Sequence, residues 1–230
     1  MVHTRDLHLA EGEIFLIRKP QGWTSFDIVA RMRTILHFNK IGHAGSLDPL
    51  ATGLMIVCTG KMTKDLGRFV ELEKEYVATI RLGGRTPSYD SETEVVEGHT
   101  VDDITEAGVV SVLSSFVGLQ VQIPPMWSAV KVGGKPLYKY ARKGKVVSRN
   151  PREVFIRSIT PHDVSIPVVT FTVVCSKGTY VRTLADDIGQ RLGCGAYLTA
   201  LERRRIGSFR IEDACSLEEL TESMHVTRNA

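Results

Sequence analysis

Apolar positions along this chain recur with two different periods, and turn residues mark most of the changes between them. Residues 13–18 read as a strand that runs into the turn Lys19-Pro20-Gln21-Gly22. Thr24 then stands as a helix N-cap, with Asp27 three residues on in place of the usual Glu of a capping box. Ile28, Val29, Met32, Ile35 and Leu36 follow at helical spacing. The run Leu54-Met55-Ile56-Val57-Cys58 is apolar without alternation, as in a strand buried on both faces and ending near Thr59. A short basic helix is expected over 61–69. Across 74–82, Tyr76, Ala78, Ile80 and Leu82 alternate with Val77, Thr79 and Arg81, the pattern of a half-buried strand, which Gly83-Gly84 ends.

The second half is read in the same way. Residues 85–100 are polar and acidic and predict an exposed loop. Ile104, Ala107, Val110, Val112 and Leu113 predict a helix; 117–122 reads as a strand broken by Ile123-Pro124-Pro125. Residues 127–132 extend again, Gly133-Gly134 turns, and 137–143 is a short helix. Strands are expected over 153–159 and 168–175. Ser176-Lys177-Gly178-Thr179 introduces a helix whose apolar face is Val181, Leu184, Ala185, Ile188 and Leu192. A strand over 197–206 and a helix opened by Ser216-Leu217-Glu218-Glu219 complete the pattern, and the tail from Met224 to Ala230 is expected to fray. Strands and helices are intermixed without strict alternation. That predicts an α+β fold with a largely antiparallel mixed sheet flanked by helices and loops, not a doubly wound parallel one. No repeat or linker interrupts it, so residues 1–230 are read as one domain.

Composition narrows the classes. Hydrophobic content of 43% and charged content of 24% are those of an ordinary globular protein. No apolar stretch approaches the roughly 20 residues that span a bilayer, and Met1-Val2-His3-Thr4-Arg5-Asp6 precedes no signal-like apolar core. A cytoplasmic location without membrane contact is the expectation. Cys58, Cys175, Cys194 and Cys215 are scattered and contain no Cys-x-x-Cys pair, and the histidines are dispersed. Neither a metal site nor a disulfide framework is indicated.

Net charge is only +3, but its distribution is uneven. Lys131, Lys135, Lys139, Arg142, Lys143, Lys145, Arg149 and Arg152 follow one another with no acid between them, and Arg203-Arg204-Arg205 forms a second group. Basic segments interleaved with Trp127, Tyr138 and Tyr140 fit a surface that tracks a phosphate backbone.

The densest chemistry lies in Gly42-His43-Ala44-Gly45-Ser46-Leu47-Asp48-Pro49-Leu50-Ala51-Thr52-Gly53. Three turn-permitting glycines, and a proline that fixes the dihedral after Asp48, describe a shaped loop anchored to the buried strand behind it. An Asp-Pro turn accounts for Asp48 by local hydrogen bonding alone; a nucleophile or general base is the functional reading. The acid has no carboxylate nearby to share a metal, and both the Walker loop and the Gly-x-Ser-x-Gly elbow are absent. An ionised carboxylate that is partly desolvated needs a fixed cation beside it. Arg182, just after Ser176-Lys177-Gly178-Thr179-Tyr180, is the candidate.

The loop resembles the signature of TruB-type tRNA pseudouridine synthases, and the resemblance continues in ordered blocks through nearly the whole chain. Lys19-Pro20-Gln21-Gly22-Trp23-Thr24-Ser25 resembles the opening motif. Lys74-Glu75-Tyr76 is similar to the stacking-tyrosine strand, followed by Arg81-Leu82-Gly83 and by Asp90. Ile123 to Lys131, Tyr138 to Arg142, Cys175 to Arg182 and Leu198 to Arg204 resemble later blocks. The resemblance implies a pseudouridine synthase catalytic fold and isomerisation of uridine 55 in the tRNA T arm, with no cofactor or metal. Asp48 would attack the uracil C6 or the ribose C1′, and Arg182 would pair with it. Tyr76 would stack on the extruded uracil and help move a proton, with Leu201 packed against the ring. His43 would fill or buttress the gap left in the T loop. Lys19, Lys64, Asp90, Lys131 and Tyr180 carry over as residues that position RNA or the site.

Two departures stand out. Trp127 replaces the family's usual Tyr, and the chain ends at Ala230 without the small C-terminal RNA-binding (PUA) domain of longer members. Binding is then expected to rest on the basic surface of the catalytic domain. Two rival readings remain at this level. A non-catalytic RNA-binding or tRNA-folding protein would keep its effect in Asp48→Asn. A hydrolase would need a second carboxylate, and the best candidate, Asp90, sits in a segment expected to be solvated. Nothing in the sequence demands more than a monomer.

Overall fold

The computed structural model of the protein describes residues 8–228. The segment Met1–Asp6, on which the expectation of no leader rests, lies outside the described residues, as do Asn229 and Ala230 of the tail. The chain opens with β1 (Ile14–Lys19), α1 (Ser25–Leu36), β2 (Ile41–His43) and β3 (Thr52–Thr59). A 3-10 turn (Gly60–Asp65), α2 (Leu66–Glu71) and β4 (Lys74–Leu82) follow. Next come β5 (Gly84–Arg85), β6 (Glu97–Gly98), α3 (Glu106–Ser114) and β7 (Gly118–Gln122). The hairpin of β8 (Lys131–Val132) and β9 (Lys135–Pro136) leads to α4 (Leu137–Ala141). The last elements are β10 (Arg152–Ser165), β11 (Val168–Cys175), α5 (Val181–Leu192), β12 (Ala196–Ile206), β13 (Phe209–Arg210) and α6 (Leu217–Arg228). No helix among the described residues is long and apolar enough to cross a membrane.

Packing divides the chain into two compact units, Met1–Tyr76 with Leu201–Ala230, and Val77–Ala200, so that β4 and β12 each belong partly to both. In the first unit β3 is central. It pairs antiparallel with β1 and with β2, and parallel with the end of β12, where Arg203 lies opposite Gly53. Its continuous apolar run is buried on both faces, Leu54 through Cys58 all being inaccessible. Helix α1 buries Ile28, Val29, Met32, Ile35 and Leu36, the face its periodicity predicts. The capping box is formed as expected: the Thr24 hydroxyl accepts from Asp27 N at 3.1 Å, and the Asp27 carboxylate accepts from Thr24 N at 2.8 Å.

In the second unit the strands follow the order β12-β4-β11-β10-β7, with β10 antiparallel to both β11 and β7. The expected boundaries of β4 hold, and Tyr76, Ala78, Ile80 and Leu82 are buried, together with Lys74 at its start. Helix α5 is buried all round from Val181 to Asp186, ends at Gly193 in the left-handed conformation, and contains Gly189 for a steric reason. A Cβ at Gly189 would lie 2.0 Å from the Ala196 amide nitrogen, so only glycine lets β12 start this close.

Three expectations are corrected. Residues 85–100 are not simply exposed: β5 pairs with β6, and Thr86, Ser88 and Asp90 are buried. Asp90 is therefore not a solvated loop acid. The extension expected over 127–132 shrinks to Lys131–Val132, since Trp127 to Ala129 form bends. The strand expected over 153–159 instead runs through Pro161 to Ser165. Register shifts at Ile156/Ser158 and Pro161/Asp163 let the ladder accommodate a residue without an N–H. The remaining architecture is the mixed, mostly antiparallel α+β arrangement that the pattern predicts.

Helix α5 also carries an electrostatic cost. Asp186 is held by Arg85, Nε to Oδ1 3.1 Å. Burial, and then the charge of Asp186, push the neighbouring Asp187 carboxyl up to about 6, with Arg191 opposing. A carboxyl raised above its unfolded value contributes stability that is fully present below about pH 4 and is lost as pH rises through about 6. Asp187→Asn is expected to stabilise the protein by about 1–2 kcal/mol at pH 8 after allowance for its partial exposure, and to change little at pH 4. Urea midpoints at the two pH values check this.

Candidate active site

In the first unit, the Asp48 loop is clamped from both sides. Its stem follows β2, and Ala44 N donates to Ile56 O at 2.9 Å. Ser25, the first residue of α1, accepts from Leu47 N at 2.8 Å through its hydroxyl. On the other flank Gly22 N donates to Pro49 O at 2.8 Å, and Ala51 N closes a turn on Asp48 O at 3.1 Å. Leu47 and Ala51 are buried on either side of a half-buried Asp48. The two buried side chains anchor the backbone on either side of Asp48.

Lys19 is almost wholly buried, and its ammonium donates to Trp23 O at 2.6 Å, Pro20 O at 2.9 Å and Pro49 O at 3.4 Å. It ties the Lys19–Trp23 turn to the Asp48 loop. Of the two roles the sequence leaves open for Lys19, these bonds favour shaping the site.

Arg203 performs the matching task from β12, and sequence reasoning places it wrongly among surface cations. It is 1% exposed, its Nε donates to Leu54 O at 2.7 Å, and its Nη2 donates to Gly45 O at 3.2 Å. Gly53 (φ +107°) meets the Arg203 backbone so closely that a Cβ there would stand 2.4 Å from Arg203 O. Arg204 is engaged by Glu202 and Glu212, and Arg205 by Glu73 and Glu75. The triple arginine is thus not a free phosphate-tracking patch. Strand alternation contains the missed signal: with period two, Arg203 shares the inward face of Leu201. Arg203→Met is expected to cost about 2–4 kcal/mol in urea unfolding, because two carbonyls lose a charged donor in a buried place.

Tyr76 and Leu201 are both buried in this unit, at 9% and 8% exposure. Thr52, at the end of the loop, donates its hydroxyl to Leu201 O at 3.4 Å, which fixes Leu201 beside the loop's exit. His43 is half-buried at the start of the loop. Burial first, and the Arg203 charge second, hold its imidazole below its usual range, with the Gly45 backbone opposing. It is a neutral ring at pH 7, suited to packing and hydrogen bonding. Lys64 lies in the 3-10 turn and is partly exposed.

The second unit contains Arg182, Asp90, Tyr180 and Lys131. Arg182, in the first turn of α5, is 3% exposed. Its Nη1 donates to Ser88 O at 3.1 Å and lies 3.3 Å from Asp90 Oδ2, and its Nη2 donates to Trp127 O at 2.8 Å. Asp90, itself fully buried, accepts from Ser88 Oγ at 2.6 Å and from Glu92 N at 3.0 Å. Its backbone meets Leu198, with Ser91 N donating to Leu198 O at 3.0 Å. The guanidinium is therefore oriented by a carboxylate that is in turn held by its own loop. Trp127 contributes a backbone carbonyl to this arrangement, which any residue supplies. Tyr180 caps α5 with its backbone locked to Gln122 by bonds of 2.9 and 3.2 Å, and Arg152 stands 5.7 Å from its ring centre. Lys131 is exposed on β8. Beyond it, Lys135, Lys139, Tyr140, Arg142, Lys143 and Lys145 line a cleft of about 450 Å³, a cationic surface that fits phosphate.

Two family models match the chain: TruB family pseudouridylate synthase (N terminal domain) over residues 33–181, and tRNA pseudouridylate synthase B C-terminal domain over 182–230. Similar curated proteins include the tRNA pseudouridine synthase B of Chloroherpeton thalassium, 44% identical over 96% of this chain and 93% of that protein. That of Parabacteroides distasonis is 47% identical over 91% of this chain and 92% of its own. Among solved structures, a Cbf5-Nop10-Gar1 complex is similar with a TM-score of 0.73 and 30% identity over 94% of this chain. An archaeal box H/ACA sRNP Nop10-Cbf5 complex follows with 0.72 and 26% over 96%. This chain spans 55% and 56% of the length of those two chains.

Proposed function

We propose, from the premise that the chain belongs to the TruB family of pseudouridylate synthases, that it isomerises uridine 55 in the T arm of tRNA to pseudouridine. The relatives' names supply tRNA as the substrate class. The observation that carries the reading is the half-buried Asp48 on a loop fixed by Ser25, Gly22, Lys19 and Arg203. A carboxylate on a fixed backbone, in a residue only partly buried, suits attack on a bound nucleoside.

In this mechanism Asp48 attacks uracil C6 or ribose C1′, and the N1–C1′ bond breaks. The uracil turns while still held, C5 bonds to C1′, the bond to Asp48 breaks and frees its carboxylate, and the proton on C5 leaves while N1 gains one. The family motif assigns Arg182 to keep Asp48 ionised. Tyr76 stacks on the uracil and helps move the proton, while Leu201 packs against the ring. The reacting bond is hidden in a stacked loop, so the nucleotide must be flipped out, and His43 occupies the gap. Tyr180, Lys64 and Lys131 position RNA; Lys19 and Asp90 position the site. The cationic surface beyond Lys131 supplies affinity for the phosphate backbone, and the reaction takes place in the cytoplasm, where the substrate is made.

Unmodified tRNA labelled with tritium at uridine C5 tests the proposal. The expected result is release of about one equivalent of tritium per tRNA, from position 55 alone. Release from another position, or none from a tRNA that binds, overturns it.

A further inference from the structure

Among the described residues, two besides glycines hold a left-handed backbone, His37 (φ +50°) and Tyr89 (φ +64°). His37 is the C-cap of α1, and helix ends commonly take that conformation. Tyr89 caps no helix. A bulky side chain in this region is an outlier, and such strain persists only where the surroundings over-determine it. Around Tyr89 they do. Its N–H donates to Thr86 O at 3.1 Å, closing a turn with Pro87 in second place. Proline suits that place in the commonest turns, and glycine suits the fourth, which Tyr89 fills. On the other side Tyr89 O accepts from Leu198 N at 3.0 Å, and Ser91 N donates to Leu198 O at 3.0 Å. Strand β12 therefore holds both neighbours of Asp90.

The kink stands between two groups that meet one nitrogen. Ser88 O accepts from Arg182 Nη1 at 3.1 Å, and Asp90 Oδ2 lies 3.3 Å from the same atom. The Ser88 carbonyl belongs to the peptide that leads into Tyr89, so φ at Tyr89 sets its direction relative to Asp90. Helix α5 grips the same turn at its other end. One helical turn after Arg182, Asp186 accepts from Arg85 Nε at 3.1 Å and from Nη2 at 3.4 Å. The half-buried Tyr89 ring lies in the field of that pair. Burial first, and then the Asp186 charge, push its phenol up, with Arg149 and Arg85 opposing. Burial of the ring offsets the strain of the backbone that carries it. We propose that Tyr89 is a positioning residue: its left-handed backbone turns the Ser88 carbonyl and the Asp90 carboxylate onto one guanidinium nitrogen and so fixes the direction of Arg182. The inference rests on the proposed reaction only where turnover is read.

Tyr89→Gly and Tyr89→Ala test it in the full chain, since both delete the ring and they differ by one methyl group. Glycine takes a left-handed φ freely, whereas an L residue without a packed ring is disfavoured there. With tRNA labelled at uridine C5, Tyr89→Ala is expected to lower kcat about 5- to 30-fold with KM within about twofold of wild type. Tyr89→Gly is expected to bring kcat back to within about threefold of wild type. A side chain that acted only by its own contacts would give the opposite order or none. The second readout needs no turnover: the guanidinium N–H resonances of Arg182, assigned with Arg182→Lys. They are expected at their wild-type positions and slowly exchanging in Tyr89→Gly, and shifted and fast exchanging in Tyr89→Ala. Equal kcat in the two variants, or equal resonances, overturns the proposal. A wild type that releases no tritium overturns the proposed function instead, and the resonances then decide the role of Tyr89 by themselves.

Discussion

Asp48→Asn is expected to abolish pseudouridine formation while leaving tRNA binding within a fewfold of wild type. The substitution is nearly isosteric, and the loop is held by groups other than the carboxylate. Ser25 bonds Leu47, Gly22 and Lys19 bond Pro49, and Arg203 bonds Gly45. The backbone turn Ala51 N to Asp48 O at 3.1 Å survives as well. What disappears is the anion. An amide has no lone pair of comparable nucleophilicity and cannot form the ester-like adduct by which the glycosidic bond is exchanged. Removing a nucleophile elsewhere costs about 10⁴- to 10⁶-fold in kcat, and a loss of that scale is expected in single-turnover tritium release. Filter binding of the same labelled tRNA provides the control. Activity retained within about tenfold of wild type would remove Asp48 from the chemistry and leave the turn-forming reading of the Asp-Pro pair. Lost binding would mean that the loop, not the reaction, had been damaged.

The sequence makes most of this protein legible where a local signal and its structural consequence coincide. The capping box at Thr24 and Asp27 is written in adjacent residues and is satisfied by adjacent atoms. The alternation from Lys74 to Leu82 is decided by which face meets the core, and it emerges with the same bounds. The Asp48 loop is visible because glycine and proline restrict the backbone locally. Arg203 is misread for the opposite reason. Its charge suggests solvent, but its bonds run to Leu54 and Gly45, about 150 residues earlier in the chain. No composition argument reveals a partner that distant; only strand alternation hints at it. Asp90 is misread in the same way. An acidic, polar segment normally faces water, yet Thr86, Ser88 and Asp90 are buried. Arg182 supplies a charge that makes the burial tolerable, and the sequence does not place the two side by side.

Asp90→Ala carries the largest expected effect on the fold. Both partners of the Arg182–Asp90 pair are removed from solvent, at 4% and 0% side-chain exposure. Taking away the carboxylate removes the Asp90 anion from beside a buried guanidinium that the Ser88 and Trp127 carbonyls also orient. Breaking a buried pair by deleting one member costs about 3–5 kcal/mol, and the Ser88 hydroxyl and Glu92 amide lose their acceptor too. Urea unfolding is expected to show a loss of that size. Asp90→Asn separates the two contributions. Its amide oxygen can still accept from Ser88 and Glu92, so the loop keeps its shape, but the charge opposite Arg182 is gone. The Asn variant is therefore expected to unfold nearer to wild type than the Ala variant, by about 1–2 kcal/mol. Its kcat for tRNA is expected to fall by about 10- to 100-fold with KM little changed, because a guanidinium without its carboxylate is no longer aimed. Equal stability losses in the two variants, with unchanged kcat in Asn, would make Asp90 a folding residue with no part in positioning Arg182.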